Sequence, residues 1–282
     1  MLGKKGKLVA GARRKGNVTG AKRSHRHIKA VVLITTAFII AAAVTGGLLL
    51  WNRGSGSDSH TTGPPTAAIV DQLSLTVPTP DFVSSATSLL EEAGYAVDYY
   101  PGEQVTVPLY RDLPSLGYDL IILRVHSGIS TVVATATTVT TGNLSLFTGE
   151  PYTENKYQDQ GVGWGALYNE KGEVGSWIFI VGARFVEKSM RGSFNKTIVI
   201  LMGCDGLKLP KTPQDFLDRG AEAFVGWTEV VTSSHTDTAT FYLLQKFLGE
   251  GLTIEDAVSQ TAAEVGPDPL SHAELQIMSN VH

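Results

Sequence analysis

From residue 67 onward, short apolar runs alternate with segments whose apolar positions recur every three or four residues. Residues 67–75 (AAIVDQLSL) read as a first strand. After Pro80-Asp81, the residues Phe82, Ala86, Leu89, Leu90 and Ala93 share one helical face, and Gly94 stops the helix. Residues 95–100 (YAVDYY) predict a second strand, and 107–116 a helix ending at Gly117. Residues 118–126 (YDLIILRVH) predict a third strand, nearly all apolar, as suits a strand covered on both faces. This alternation implies a parallel sheet with right-handed crossovers. Residues 129–182 break the rhythm: a β-branched stretch at 131–141, a polar loop at 149–165, and two strands flanking the turn Glu170-Lys171-Gly172-Glu173. They read as a β-rich insertion carried on the sheet. A short helix over 183–190 follows, then a fourth buried strand at 197–203 (TIVILMG). Thr212 and Pro213 open a helix over 212–218, and 221–227 (AEAFVGW) is a fifth strand. Amphipathic helices at 236–248 and 254–265 complete the pattern. There is no internal repeat and no second linker, so 67–282 reads as one α/β domain.

The preceding residues follow a different logic. Residues 30–51 (AVVLITTAFIIAAAVTGGLLLW) carry no charge, and at ~1.5 Å rise per residue they span roughly 30 Å, a bilayer's hydrocarbon core. Trp51 stands where an interfacial aromatic anchor belongs. The run is longer than the apolar region of a cleaved signal peptide, and no small-residue cleavage site closes it. It therefore predicts an uncleaved signal anchor, which would contact membrane lipid.

Charge sets the orientation. The formal net charge of −4 hides a segregation: residues 1–29 hold ten of the 23 Lys and Arg and no Asp or Glu. By the positive-inside rule this basic tail is cytoplasmic and the body extracellular, a single-pass protein of the cell membrane. The anchor behind the tail explains its charge without nucleic-acid binding. Residues 52–66 (NRGSGSDSHTTGPPT) read as a flexible stalk. Asn143-Leu-Ser and Asn195-Lys-Thr are glycosylation sequons on the predicted outer side. The body is too apolar for disorder, and one cysteine, Cys204, excludes an intrachain disulfide framework or a multi-Cys metal site.

In open α/β sheets ligands bind beyond the carboxyl ends of the strands. His126 closes the third predicted strand and Cys204 the fourth. If these strands are adjacent and parallel, both side chains emerge at one sheet edge. A thiol needs a base such as His to become a nucleophile near neutral pH. Backbone N–H groups of Ser127, Gly128 and Cys204 are candidates for binding a developing oxyanion. Asp205 follows the thiol, Trp227 ends the fifth strand, and the stretch Ser233-Ser234-His235-Thr236-Asp237 follows that strand. Asp205, Trp227 and Asp237 are thus candidate walls of a substrate groove. Set against this, 233–237 also suits a helix start, with Ser or Thr as cap and Asp237 in the first turn. No metal motif contains His235, so no metal is expected.

At these residues the chain resembles the caspase-like cysteine peptidases, the group of caspases, legumains, gingipains, clostripain and the CHAT/separase branch. Residues 118–128 (YDLIILRVHSG) are similar to that family's strand–His–Gly block, and 198–206 (IVILMGCDG) to its strand–Cys block. Residues 220–227 and the helix bearing Phe241 and Phe247 look like the part beyond the nucleophile in the CHAT and gingipain branches. The resemblance implies a three-layer domain with a mostly parallel sheet, and a thiol endopeptidase acting on a peptide or protein substrate through His126 and Cys204. It implies no obligatory cofactor, although some relatives use calcium. Two departures stand out. Ser127, not glycine, directly follows the histidine, and Met202-Gly203 stand where some members carry an acidic residue that holds a basic substrate side chain. Specificity for basic residues is therefore not implied. Two other classes fit the pattern. One is a non-catalytic ectodomain of the same fold that binds a cell-surface partner or glycan. The other, a small-ligand flavodoxin- or Rossmann-like domain, lacks a glycine-rich phosphate loop after the first strand.

Overall fold

The computed structural model describes residues 63–134, 137–168 and 174–280, which fall in one unit of the chain, Thr62–His282. The expected basic tail, membrane anchor and most of the stalk lie outside the described residues, as does the turn at 170–173. Among the described residues no helix is long and apolar enough to cross a membrane.

Six strands form the central sheet: β1 (Thr66–Asp71), β2 (Ala96–Pro101), β3 (Leu120–Arg124), β8 (Thr197–Leu201), β9 (Ala221–Trp227) and β10 (Leu275–Ser279). Their order is β2-β1-β3-β8-β9-β10, all parallel except the antiparallel edge strand β10. The third and fourth predicted strands, β3 and β8, are therefore neighbours, with Leu123 opposite Leu201. β3 is buried at every position, which explains its unbroken apolar run. Successive residues on these strands point to opposite faces. Ile69, Leu120, Ile122, Ile200 and Val225 pack under α1 (Pro80–Glu92), α5 (Ser233–Leu244) and α6 (Ile254–Val265). Val70, Ile121, Leu123, Val199 and Phe224 face α2 (Val107–Asp112), α3 (Ala183–Lys188) and α4 (Lys211–Asp218). The result is an α/β domain whose mixed, mostly parallel sheet is covered on both sides.

The insertion is a second, antiparallel sheet in the order β4-β5-β7-β6, from β4 (Ser127–Ala134), β5 (Thr137–Pro151), β6 (Val162–Tyr168) and β7 (Val174–Gly182). Leu144, Leu146, Phe179 and Val181 of this sheet join the core on the α2–α4 side. Only Val125 and His126 separate β3 from β4, so His126 sits at the junction of the two sheets.

Three local departures from the sequence reading have physical causes. β1 ends at Asp71 rather than 75, because the Asp71 carboxylate accepts from Ser74 N (3.1 Å) and Ser74 Oγ donates to the Asp71 carbonyl (2.8 Å). These bonds turn 72–75 into a 3-10 helix. Helix α5 begins at Ser233, so Asp237 lies in its second turn and not its first. Thr212 is no cap: the helix already starts at Lys211, and the Thr212 hydroxyl donates to the Leu144 carbonyl at 2.9 Å. The edge strand β10, five residues long, was not anticipated.

Candidate active site

Extending the parallel β3–β8 register three residues past Leu123 and Leu201 sets His126 opposite Cys204. The two segments are held together there. Met202 N donates to the Leu123 carbonyl (3.0 Å), and Ser127 Oγ donates to the Cys204 carbonyl (2.6 Å). Gly203 makes this closeness possible: a Cβ at that position would overlap both the Val125 carbonyl oxygen and Ser127 Oγ. His126 and Cys204 line one cavity of about 160 Å³, otherwise walled mainly by Leu73, Val77, Val125, Met202 and Val231.

His126 is held from three sides. Its N–H donates to Gln72 Oε1 (2.9 Å), its carbonyl accepts from Phe147 N (2.9 Å), and its ring meets Phe147 edge-on with centroids 6.1 Å apart. Nε2 shares a hydrogen bond with Thr76 Oγ1 at 2.9 Å, leaving Nδ1 as the other ring nitrogen. Burial, with a smaller contribution from the Arg124 charge, pushes the imidazole below its usual range. Cys204 is half-buried, and its Sγ donates to the Val231 carbonyl at 3.7 Å. Burial raises the thiol, and the charges of Asp205 and Asp268 raise it further. Both shifts favour the uncharged forms of the thiol and the imidazole.

The candidate oxyanion donors separate by strand geometry. In an antiparallel ladder, alternate residues turn their N–H and C=O groups to opposite sides. The His126 carbonyl faces β5, since it accepts from Phe147 N. Gly128, two residues on, therefore turns its N–H to β5 as well, opposite Ser145. Ser127, between them, turns its N–H away from β5, so of Ser127 and Gly128 it is Ser127 whose N–H points out of the β4–β5 ladder.

None of the three candidate groove residues lines the cavity. Trp227 is 1% exposed and donates from Nε1 to Thr236 Oγ1 (2.9 Å), as a core residue whose one polar atom is satisfied. Asp205 adopts a left-handed backbone (φ 58°), and its carboxylate lies 3.5 Å from Lys208 Nζ. Asp237 is bound to Arg124, which is 0% exposed. His235 shares a hydrogen bond with the Gly266 carbonyl (3.2 Å) and packs on Trp227. Among the described residues no three His, Cys, Asp or Glu side chains cluster as a metal site would require.

Arg124 is the group that the sequence reading passed over. Nε and Nη2 clasp the two Asp237 oxygens (2.9 and 3.2 Å), and Nη1 meets Asp71 Oδ1 (2.8 Å). Nη2 also reaches the Val77 carbonyl (3.0 Å) and Thr79 Oγ1 (2.6 Å). Burial opposes the charge, but bonds and charges from Asp237 and Asp71 outweigh it and raise the guanidinium above its ordinary value. The clamp anchors both ends of 71–79, the segment carrying Gln72 and Thr76, and so locates two of the groups that hold His126. One signal in the sequence pointed to it: an arginine within an otherwise apolar strand must have buried acidic partners. A second such device is Asp268. Its carboxylate takes Thr232 N, Leu270 N and Ser271 N at 2.9–3.0 Å, bonds that outweigh burial and hold it well below the usual range. It thereby fixes the loop whose Val231 carbonyl receives the thiol.

Compared with known protein families and curated proteins, the chain matches no family model and no curated sequence. The functional reading therefore rests on this geometry.

Proposed function

We propose that this chain is a caspase-like cysteine endopeptidase, with its body held outside the cell by residues 30–51. The observation that carries the reading is the pairing of the only thiol with a histidine on adjoining parallel strand ends, both lining one cavity. In the tautomer with Nε2–H donating to Thr76, His126 Nδ1 is the base. As Cys204 Sγ bonds to the peptide carbonyl carbon, its proton passes to His126 and the carbonyl π electrons move onto oxygen. The N–H groups of Ser127 and Cys204 face that oxygen. The C–N bond then breaks, His126 returns the proton to the leaving amine, and water releases the acyl group from sulfur. A neutral resting pair suits proton transfer coupled to attack, and catalytic hydrogen bonds tighten when substrate fills the site.

The experiment is peptide cleavage by the full-length protein and its Cys204→Ala, His126→Ala and double variants. Each single variant should lose nearly all activity while staying folded, and the double should be scarcely worse, because residues acting as one catalytic unit are non-additive. Full activity in Cys204→Ala would sink the reading. Topology is tested separately: protease applied to intact cells should release the body from the stalk at 52–66 and spare the tail.

One observation favours a non-catalytic, partner-binding ectodomain instead, namely the raised thiol and its bond to the Val231 carbonyl. A buried, inert thiol has that character. Alkylation separates the two: with a peptide-like electrophile that occupies the cavity, a catalytic Cys204 reacts far faster than with a small reagent such as iodoacetamide.

A further inference from the structure

We infer that the cavity beside Cys204 receives an uncharged, apolar side chain of the substrate, that of the residue whose carbonyl is attacked. This rests on the thiol reading above and specifies its substrate class. The cavity touches both reactive residues, so a side chain one bond from the attacked carbonyl is the substrate group that reaches it. Its wall is apolar: Leu73 and Val77 from the segment after β1, Val125 from the end of β3, Met202 from the end of β8, and Val231 from the loop after β9. The polar lining groups beyond the reactive pair are the hydroxyl residues Ser233 and Thr236, and the Thr236 hydroxyl already accepts from Trp227.

The charges nearby have partners of their own: Arg124 is satisfied by Asp71 and Asp237, Asp268 by Thr232, Leu270 and Ser271, and Asp205, which does not line the cavity, is ion-paired with Lys208. An Arg, Lys, Asp or Glu side chain entering the cavity would lose water and gain no counterion, which opposes binding strongly. Size narrows the choice further. The volume of about 160 Å³ is close to that of an engineered apolar protein cavity of ~150 Å³ that accepts benzene. Leu, Met and Phe side chains are of that order. Tryptophan overfills it, and alanine leaves it largely empty.

The test uses the full-length protein and a series of peptidyl acyloxymethyl ketones that differ only in the side chain preceding the electrophile. In the labelling step, sulfur bonds to the methylene carbon, the carboxylate leaves, and the thiol proton goes to His126. Mass spectrometry identifies the labelled residue. Leu, Met or Phe probes should label Cys204 at least about ten-fold faster than Arg, Lys, Asp or Glu probes, since each mismatched group in a shaped pocket costs that much or more. Val77 is 39% exposed, so Val77→Phe narrows the cavity without disturbing the core. It should shift preference from Phe and Leu toward Ala. Fastest labelling by a charged probe, or a Val77→Phe protein with unchanged ranking, overturns the pocket assignment and leaves the nucleophile standing. Labelling of Cys204 by no peptidyl probe overturns the thiol reading, and the pocket assignment with it.

Discussion

Removing Asp237 isolates the contribution of the Arg124 clamp. Asp237→Ala takes away two of the guanidinium's bonds, at 2.9 and 3.2 Å, from an arginine that is fully buried. Asp71, the Val77 carbonyl and Thr79 remain, but Nε loses the carboxylate that it donates to. Breaking a buried pair from one side costs about 3–5 kcal/mol, because the surviving charge is left without compensation. For a domain of this size each kcal/mol lowers Tm by about 2–4 °C, so the melting point should fall by about 6–20 °C. Thermal unfolding of the full-length protein, followed by circular dichroism, measures it. The companion is a triple variant, Arg124→Met, Asp71→Asn and Asp237→Leu, in which no charge of the cluster remains. It should recover most of the loss, as replacing a whole buried ion cluster by groups of similar volume is close to neutral. Asn at 71 keeps Oδ1 to accept from Ser74 N and presents an N–H to the Tyr99 hydroxyl, which can accept it instead of donating. A loss below about 1 kcal/mol in Asp237→Ala, or a triple variant less stable than the single, would refute the account of Arg124 as a buried cation held by two carboxylates.

Gly203→Ala should cost about 2–4 kcal/mol in urea unfolding, the sum of overpacking against the Val125 carbonyl and weakening of the Ser127–Cys204 bond; unchanged stability would mean the strand ends are not in contact. Thr76→Val should lower kcat for peptide cleavage about 3- to 10-fold with KM little changed, and Thr76→Ser should restore it, as expected for one hydrogen bond orienting His126. Stability should also vary with pH on both sides of neutrality. The His126 pKa is depressed in the folded state, so its contribution is present above the unfolded value of about 6.5 and is lost as pH falls below it. The Cys204 pKa is raised, so its contribution is full below about 8.5 and is lost as pH rises. Each limb has a slope of at most about 1.4 kcal/mol per pH unit, and His126→Gln should flatten the acid limb and Cys204→Ala the alkaline one in denaturation at pH 5, 7 and 9. A Cys204→Ala protein with an unaltered alkaline limb would show that the thiol is not desolvated.

The alternation of apolar strands with amphipathic helices was enough to read an α/β domain, the β-rich insertion and helix 254–265 from the chain alone. Local patterns carry such information because burial on one or both faces writes itself into the spacing of apolar residues. His126 and Cys204 were legible as candidates for the same reason: each directly follows a strand run, and strand ends are where parallel sheets expose chemistry. Strand order, by contrast, is a choice among long-range pairings that no local window records. Only the β3–β8 pairing sets those two ends side by side. The candidate groove residues depended on tertiary structure too. Trp227 and Asp237 stood as candidates because one ends a strand and the other lies beyond it, where α/β sheets bind ligands. Tertiary structure buried both, the first with its Nε1 on Thr236 and the second on Arg124, 113 residues away in the chain. Whether a polar group faces solvent or a partner depends on what packs over it, and here that is decided by helix α5, which carries Thr236 and Asp237 and packs on the sheet. Sequence determines which groups can react or pair, and packing determines which of them meet, because the cost of burying a charge is lifted only by a second group brought in from elsewhere in the fold.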